Sequence, residues 1–360
     1  MSVDERRRRF LKTLLLGAAA APLARTPILA GPPASGAQGA GPGPAGPASP
    51  GAPGTAPGTA ASAKYTPPAP IVYRARRGGI LPAGGVAPDA DKLADALGAA
   101  VSRVAGEPTP VAGMRRLFRP HDVVGIKVNC IAGKGMSPHP EMVALLAKWL
   151  QQAGVSAANI VVIERSDREL DRAGFRPSRS ADGMRVIGVE DSYEAQPREW
   201  GPNASCFAKV LVEEITALIN VGVLKDHHSA GLAVGMKNWY GVIHNPNKCH
   251  DDGCHPYVAH LAAFPLIRDK VRFTVIDAMT AQCSGGPGFS PRWTWPYDAL
   301  LVSADPVALD TVGMKIIDER RKEVSLPTLA EEKRAPKWLA EAARLGLGEA
   351  DLAKIKIEDV

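Results

Sequence analysis

Short apolar runs rich in β-branched residues recur along this chain with room for a helix between them, and no other feature restricts its fold as much. Ile71 to Arg74, Asp122 to Asn129, Asn159 to Glu164, Val186 to Val189, Ala217 to Val223, Val271 to Asp277 and Ala299 to Ser303 each read as a strand. Their near-continuous apolarity suits strands covered on both faces. Between several of them lie helical periods. Asp89 to Ala105 places Leu93, Leu97, Val101 and Val104 on one face before Gly106 and Pro108 stop it, and Pro140 to Gly154 does the same with Val143, Leu146 and Leu150. Asp305 followed by Pro306 caps a helix over Val307 to Arg321, and Pro336 to Leu345 reads as a last helix. The alternation predicts an α/β fold, a mostly parallel sheet with helices on both faces and right-handed crossovers. Arg165 to Gly201 has few periodic apolar positions and reads as an insertion or cap.

What precedes Ile71 is of another kind. Residues 31–70 are almost entirely Gly, Pro, Ala, Ser and Thr, a composition with nothing to bury, and are expected to be a disordered tether. Residues 1–30 open with Arg7, Arg8, Arg9, Phe10, Leu11 and Lys12 before a modest apolar stretch, which fits a twin-arginine signal peptide. That reading makes the protein an exported one, periplasmic or at the cell envelope, with the twin-arginine translocase as its partner during export. An uncleaved N-terminus would tether it to the membrane. Export in the folded state also points toward a group inserted beforehand. Residues 1–30 carry a net +4 of the chain's +6, so residues 71–360, a single large domain, hold little excess charge and no basic footprint for nucleic acid.

Reactive side chains concentrate in Leu218 to His260, which holds six of the eight histidines and two of the five cysteines. Lys225, Asp226, His227 and His228 follow the strand Ala217 to Val223, and ligand crevices of open α/β sheets lie outside the carboxyl ends of the strands. Ser229 reads as the cap of a helix over Ala230 to Tyr240. This run (VLKDHHSAGLAVGMKNWYGVIHNP), together with VGIKVNC at Val124 to Cys130, GGP at Gly285 to Pro287 and LLVSADPVALD at Leu300 to Asp310, resembles the uncharacterised family DUF362 over roughly Ile71 to the C-terminus. The resemblance implies the fold and leaves the activity open. Some relatives carry ferredoxin-type cysteine repeats, but this chain has no C-x2-C-x2-C run, so an iron–sulfur electron-transfer role does not carry over. The family shares the stretch around Asn245, Pro246 and Cys254, while the position of Cys249 varies.

Several standard signatures are missing: there is no Walker loop, no H-E-x-x-H, no G-x-S-x-G and no dinucleotide fingerprint. Lys127 and Asn129 end one strand and Lys225 another, while Lys237 and Asn238 follow the histidine pair. Parallel strands bring such ends to one edge, where the cations suit a small anionic ligand, a carboxylate or phosphate; the bland reading pairs them with Asp226, Asp277 and Asp305. Cys249, His250, Cys254 and His255 form C-H-x3-C-H, a set for zinc, iron or another transition metal, or for a disulfide between the two cysteines. A four-cysteine cluster with Cys130 and Cys283 is the less favoured reading. Acid/base or redox chemistry would fall to His228 or His250 as proton carrier, with Asp277 as orienter. Lys127, Lys225, His228, His250 and Cys254 are expected to line one pocket. His227 and His228, adjacent on an extended strand, should point opposite ways, with His228 inward. The alternatives are a non-catalytic envelope binding protein and an accessory subunit of a redox enzyme.

Overall fold

The computed structural model describes residues 65–360. The signal-peptide reading of residues 1–30 and nearly all of the tether lie outside them. Among the described residues eleven strands form: β1 (Ile71–Ala75), β2 (Val124–Lys127), β3 (Ile160–Glu164), β4 (Arg185–Gly188), β5 (Arg198–Trp200), β6 (Asn203–Ser205), β7 (Ala217–His227), β8 (Gly231–Ala233), β9 (Val271–Gln282), β10 (Thr294–Ser303) and β11 (Lys356–Asp359). The main sheet runs β11-β1-β10-β9-β7-β2-β3-β4, with β8 added to the end of β7 and β5-β6 a separate ribbon. From β9 to β4 every neighbour pair is parallel, and β10 runs antiparallel between β9 and β1. This is the α/β fold that the alternation of strand and helix implies.

Among the described residues nine helices connect and cover the sheet: α1 (Ala90–Ala105), α2 (Pro110–Leu117), α3 (Pro140–Gln152), α4 (Asp167–Ala173), α5 (Lys209–Glu213), α6 (Tyr257–Ala263), α7 (Pro265–Arg268), α8 (Pro306–Glu323) and α9 (Trp338–Arg344). Their ends follow local chemistry. The Asp89 carboxylate accepts from the N–H groups of Asp91 and Lys92 at the start of α1, and Gly106 closes it at φ 67°. Asp305 caps α8 in the same way through Val307 and Ala308.

Because successive strand residues face opposite sides, each parallel strand feeds two apolar layers. Ile160 and Val162 of β3 pack with Leu97 of α1 and Leu146 of α3, while Val161 and Ile163 join Leu211 of α5, Val258 of α6 and Leu309 of α8. Each fully buried side chain of this size stabilises the fold by roughly 1.5–3 kcal/mol. Both faces of the sheet are therefore closed, and its carboxyl edge is where polar groups gather. Among the described residues no helix is long and apolar enough to cross a membrane.

Two expectations fail at this edge. No helix spans Ala230 to Tyr240: β7 continues through Lys225, Asp226 and His227, which pair antiparallel with Ala233, Leu232 and Gly231 of β8. Gly231 sits at φ +77°, outside the helical region, and the N–H groups of Ser229 and Ala230 are taken by Nδ1 of His227, so Ser229 caps nothing. A short 3-10 turn, Met236–Val242, follows instead. Its entry is held by Asp310 of α8, whose carboxylate accepts from Gly235 N (2.7 Å) and Met236 N (2.9 Å). The segment read as an insertion also contributes more than a cap, since it supplies α4, β4 and the first strand of the β5-β6 ribbon.

Candidate functional site

β2 ends at Lys127 beside Glu164, the last residue of β3, and both side chains are buried. The Lys127 ammonium donates to Glu164 Oε2 (2.5 Å), to the carbonyl of Val128 (2.5 Å) and to Asn238 Oδ1 (2.9 Å), which uses all three of its hydrogens. Glu164 also accepts from the N–H groups of Cys130 (2.9 Å) and Arg165 (2.8 Å). Asn238, on the 3-10 turn, donates to Asn220 Oδ1 (2.8 Å) and to the carbonyls of Lys127 and Val221. This network ties β2, β3 and β7 to the turn.

Next to it stand two ammonium groups with no carboxylate partner among the described residues. Lys225, fully buried near the end of β7, donates to Asn129 Oδ1 (3.0 Å) and to the carbonyl of Met136 (3.4 Å). Lys237, on the turn, lies 3.2 Å from His250 Nε2 and 4.3 Å above the Tyr240 ring. Burial pushes both amines down to about 8, and each would otherwise hold an isolated charge out of water.

Three imidazoles complete the wall. His227 stacks on His228 (4.9 Å between ring centroids) and faces His250 (5.8 Å). Nδ1 of His227 accepts from two backbone N–H groups, so its hydrogen is on Nε2. Burial, with Lys237 adding to it, drives this imidazole down to about 2, so it is neutral. Nδ1 of His250 lies 3.1 Å from the carbonyl of Pro246 and donates to it, which leaves Nε2 as the acceptor facing Lys237. Burial and Lys237 lower His250 as well. His228 is exposed at the mouth, its Nδ1 3.2 Å from the carbonyl of Gly286.

These groups line one cavity of about 530 Å³. It gathers Lys127, Asn129, Lys225, Lys237, Asn238, His228 and His250 from the residues singled out in the sequence. It adds Glu164, Arg165, Glu169 and Tyr240, which sequence reasoning passed over, and His227, which was expected to face away. The expectation that the adjacent histidines point opposite ways with His228 inward fails: their rings stack and both line the crevice, with His227 buried and His228 exposed, because the strand ends between them and the chain turns at His228. Glu164 was findable, being the last residue of a strand just as Lys127 is. Arg165 and its partner Glu169 (2.6 Å) fall where apolar periodicity lapses, and only the β3-to-α4 connection brings them in.

The other sequence candidates lie elsewhere. Asp277 orients none of these histidines; it holds His139 in a different cavity. Cys249, Cys254 and His255 do not line the crevice. Cys249 and Cys254 are buried and not joined by a disulfide, the carbonyl of Cys249 accepts from the Tyr240 hydroxyl (2.7 Å), and burial raises the Cys254 thiol. Among the described residues no three His, Cys, Asp or Glu side chains are placed to hold a metal ion. The physical reason is visible at His250: one ring nitrogen is committed to a carbonyl and the other faces an ammonium, which repels a metal cation. The four-cysteine grouping is not brought together either.

An open, mostly parallel α/β sheet with a lysine- and histidine-lined crevice at its carboxyl edge places the chain among α/β proteins with a polar crevice at the strand ends. A family model described as a domain of unknown function, DUF362, matches residues 124–315, and the chain belongs to that family. The match runs from β2 into α8 and contains every residue that lines the crevice. Among curated proteins none matches the chain.

Proposed function

We propose that the crevice binds a small anion with phosphate or carboxylate groups, and that acid/base chemistry on the bound molecule runs through His250 and His228. The observation that carries this reading is the pair Lys225 and Lys237. Among the ionisable lining residues, Lys127 is neutralised by Glu164 and Arg165 by Glu169, which leaves an excess of two cations. Burying two like charges is costly unless something of opposite sign meets them. A bound dianion does so and restores full protonation to both amines. His250 Nε2, which accepts from the Lys237 ammonium, is then placed to exchange a proton with the ligand through that ammonium. The twin-arginine pattern at Arg7 and Arg8 supports action outside the cytoplasm.

The test is thermal unfolding of the purified protein against inorganic phosphate and against malonate, with sodium chloride at matched ionic strength as control. Stabilisation should rise as RT ln(1 + [L]/Kd), about 2.7 kcal/mol at a hundredfold excess over Kd. Lys225→Met and Lys237→Met should each abolish it. If neither anion stabilises the wild type beyond the salt control, this reading is wrong. Ligand-dependent stabilisation with no turnover of any phosphate ester or keto acid supplied would leave a non-catalytic binding protein.

A further inference from the structure

A second cavity, of about 920 Å³, lies beside the first and differs from it in the sign of its ionisable groups. The segment between β2 and α3 and the loop after β9 border both: Asn129 and Pro287 line the first, His139 and Phe289 the second. The walls of the second are largely apolar, with Leu81, Met136, Met279 and Trp295 among them. Phe289 and Val86, two of the few large apolar side chains left exposed among the described residues, also belong to it. Phe289 packs against Gly135, where an added Cβ would fall 2.5 Å from the ring.

One polar device is built into this wall. Asp277, buried in the middle of β9, accepts from His139 N (3.0 Å), from His139 Nδ1 (2.7 Å) and from Met279 N (3.2 Å). A carboxylate so committed fixes both the plane and the tautomer of the imidazole. The hydrogen is on Nδ1, and Nε2, on the far side of the ring, has no partner among the described residues. Burial works against a charge on His139, but the Asp277 carboxylate, with Glu141 behind it, more than offsets this and holds the imidazole above its ordinary value. It is thus a strengthened base in a mostly apolar surrounding. Lys134, Glu141 and Asp298 are the other ionisable groups of the wall, so acidic groups outnumber basic ones when His139 is neutral. A free anion is disfavoured there; a neutral hydrogen-bond donor that leaves its proton on His139 is favoured, because the imidazolium so formed, held by Asp277, faces the anion.

We propose that this cavity is a second ligand site, for a compact ring-bearing apolar molecule with one acidic hydroxyl, a phenol in chemical class, whose hydroxyl donates to His139 Nε2. The ring packs between Phe289 and Trp295. His139, oriented by Asp277, accepts the hydroxyl proton as the phenol ionises, and no other bond changes.

The probe is 4-nitrophenol, whose phenolate absorbs visible light and reports ionisation directly. The wild-type protein should bind it saturably and lower its half-ionisation by about one pH unit, a tenfold shift in the equilibrium. His139→Gln, with melting and far-ultraviolet dichroism to show that it folds, should bind the probe without the shift. Lys134→Met should keep the shift, which separates the imidazole from a general cation effect. Phe289→Ala removes an exposed ring and should weaken binding several-fold. Absence of saturable binding, binding by the wild type without a shift, a shift that survives His139→Gln, or unchanged affinity in Phe289→Ala would each overturn the proposal.

Discussion

Replacing Lys127 by methionine separates the role of the strand-end ion pair from that of the anion crevice. Lys127 is fully buried and its ammonium is bonded to Glu164, Val128 and Asn238. Methionine preserves much of the stem's packing but leaves the Glu164 carboxylate without its cation. Removing one member of a buried pair costs about 3–5 kcal/mol. Glu164 keeps the N–H groups of Cys130 and Arg165 as donors, which places the cost near the lower end, about 3 kcal/mol. For a domain of roughly 300 residues, unfolding entropy of about 2.1 cal/mol/K per residue amounts to ~0.6 kcal/mol/K, so Tm should fall by about 5 °C. Adding Glu164→Gln removes the stranded charge and should restore at least about a third of the loss, since coupled neighbours are not additive. Melting and urea unfolding of the wild type, both single variants and the double variant measure this. A loss below about 1 kcal/mol for Lys127→Met, or strict additivity in the double variant, would refute the argument. Because Lys127→Met strands the Glu164 carboxylate in the wall of the crevice, stabilisation by phosphate should weaken in the single variant and return when Glu164→Gln is added.

Lys225 and Lys237 make two quantities move in opposite directions with pH. Both amines are held near 8 against an ordinary 10.5, so between those values the unfolded chain binds more protons and the stability they contribute should rise with pH. Phosphate affinity should fall across the same window as the counter-charges are lost, and paired titrations of Tm and Kd from pH 7 to about 10 would show it; affinity flat through pH 8 would remove these lysines from the site. Gly241→Ala should lower stability by about 1–3 kcal/mol, because its Cβ would fall 2.7 Å from Lys127 Nζ and 2.9 Å from Glu164 Oε2. Gly78→Ala, with nothing within 4 Å, is the control, and equal Tm values for the two variants would contradict the packing described. Arg7→Lys with Arg8→Lys should retain the protein in the cytoplasm, since lysine lacks the planar guanidinium fork; fractionation showing unchanged export would dismiss the twin-arginine reading.

Much of the scaffold was legible because its signals are local. The capping carboxylates Asp89 and Asp305 act on residues two and three positions away, and the apolar runs of β2 and β3 need no partner to be recognised. The strand ends Lys127, Asn129 and Lys225 were legible through one topological rule, that parallel strands present equivalent ends to one edge. The rule could not say which cation is already neutralised. That depends on Glu164 meeting Lys127 and on Asn238 reaching back across the sheet from the 3-10 turn.

By itself, then, the sequence determined the alternation that makes an open α/β sheet, the helix starts, and the concentration of lysine and histidine near its carboxyl edge. Tertiary structure decided the chemistry of each group. A polar run that looked like the end of β7 stays extended because β8 folds back on it, and this sets His227 against His228 and His250. Asp277 serves His139, 138 positions away, and not the histidines that follow the neighbouring strand. Local pattern reports which face of an element is apolar. Which buried charge meets which partner is set by register between elements distant in the chain, and burial then determines whether an amine keeps its proton.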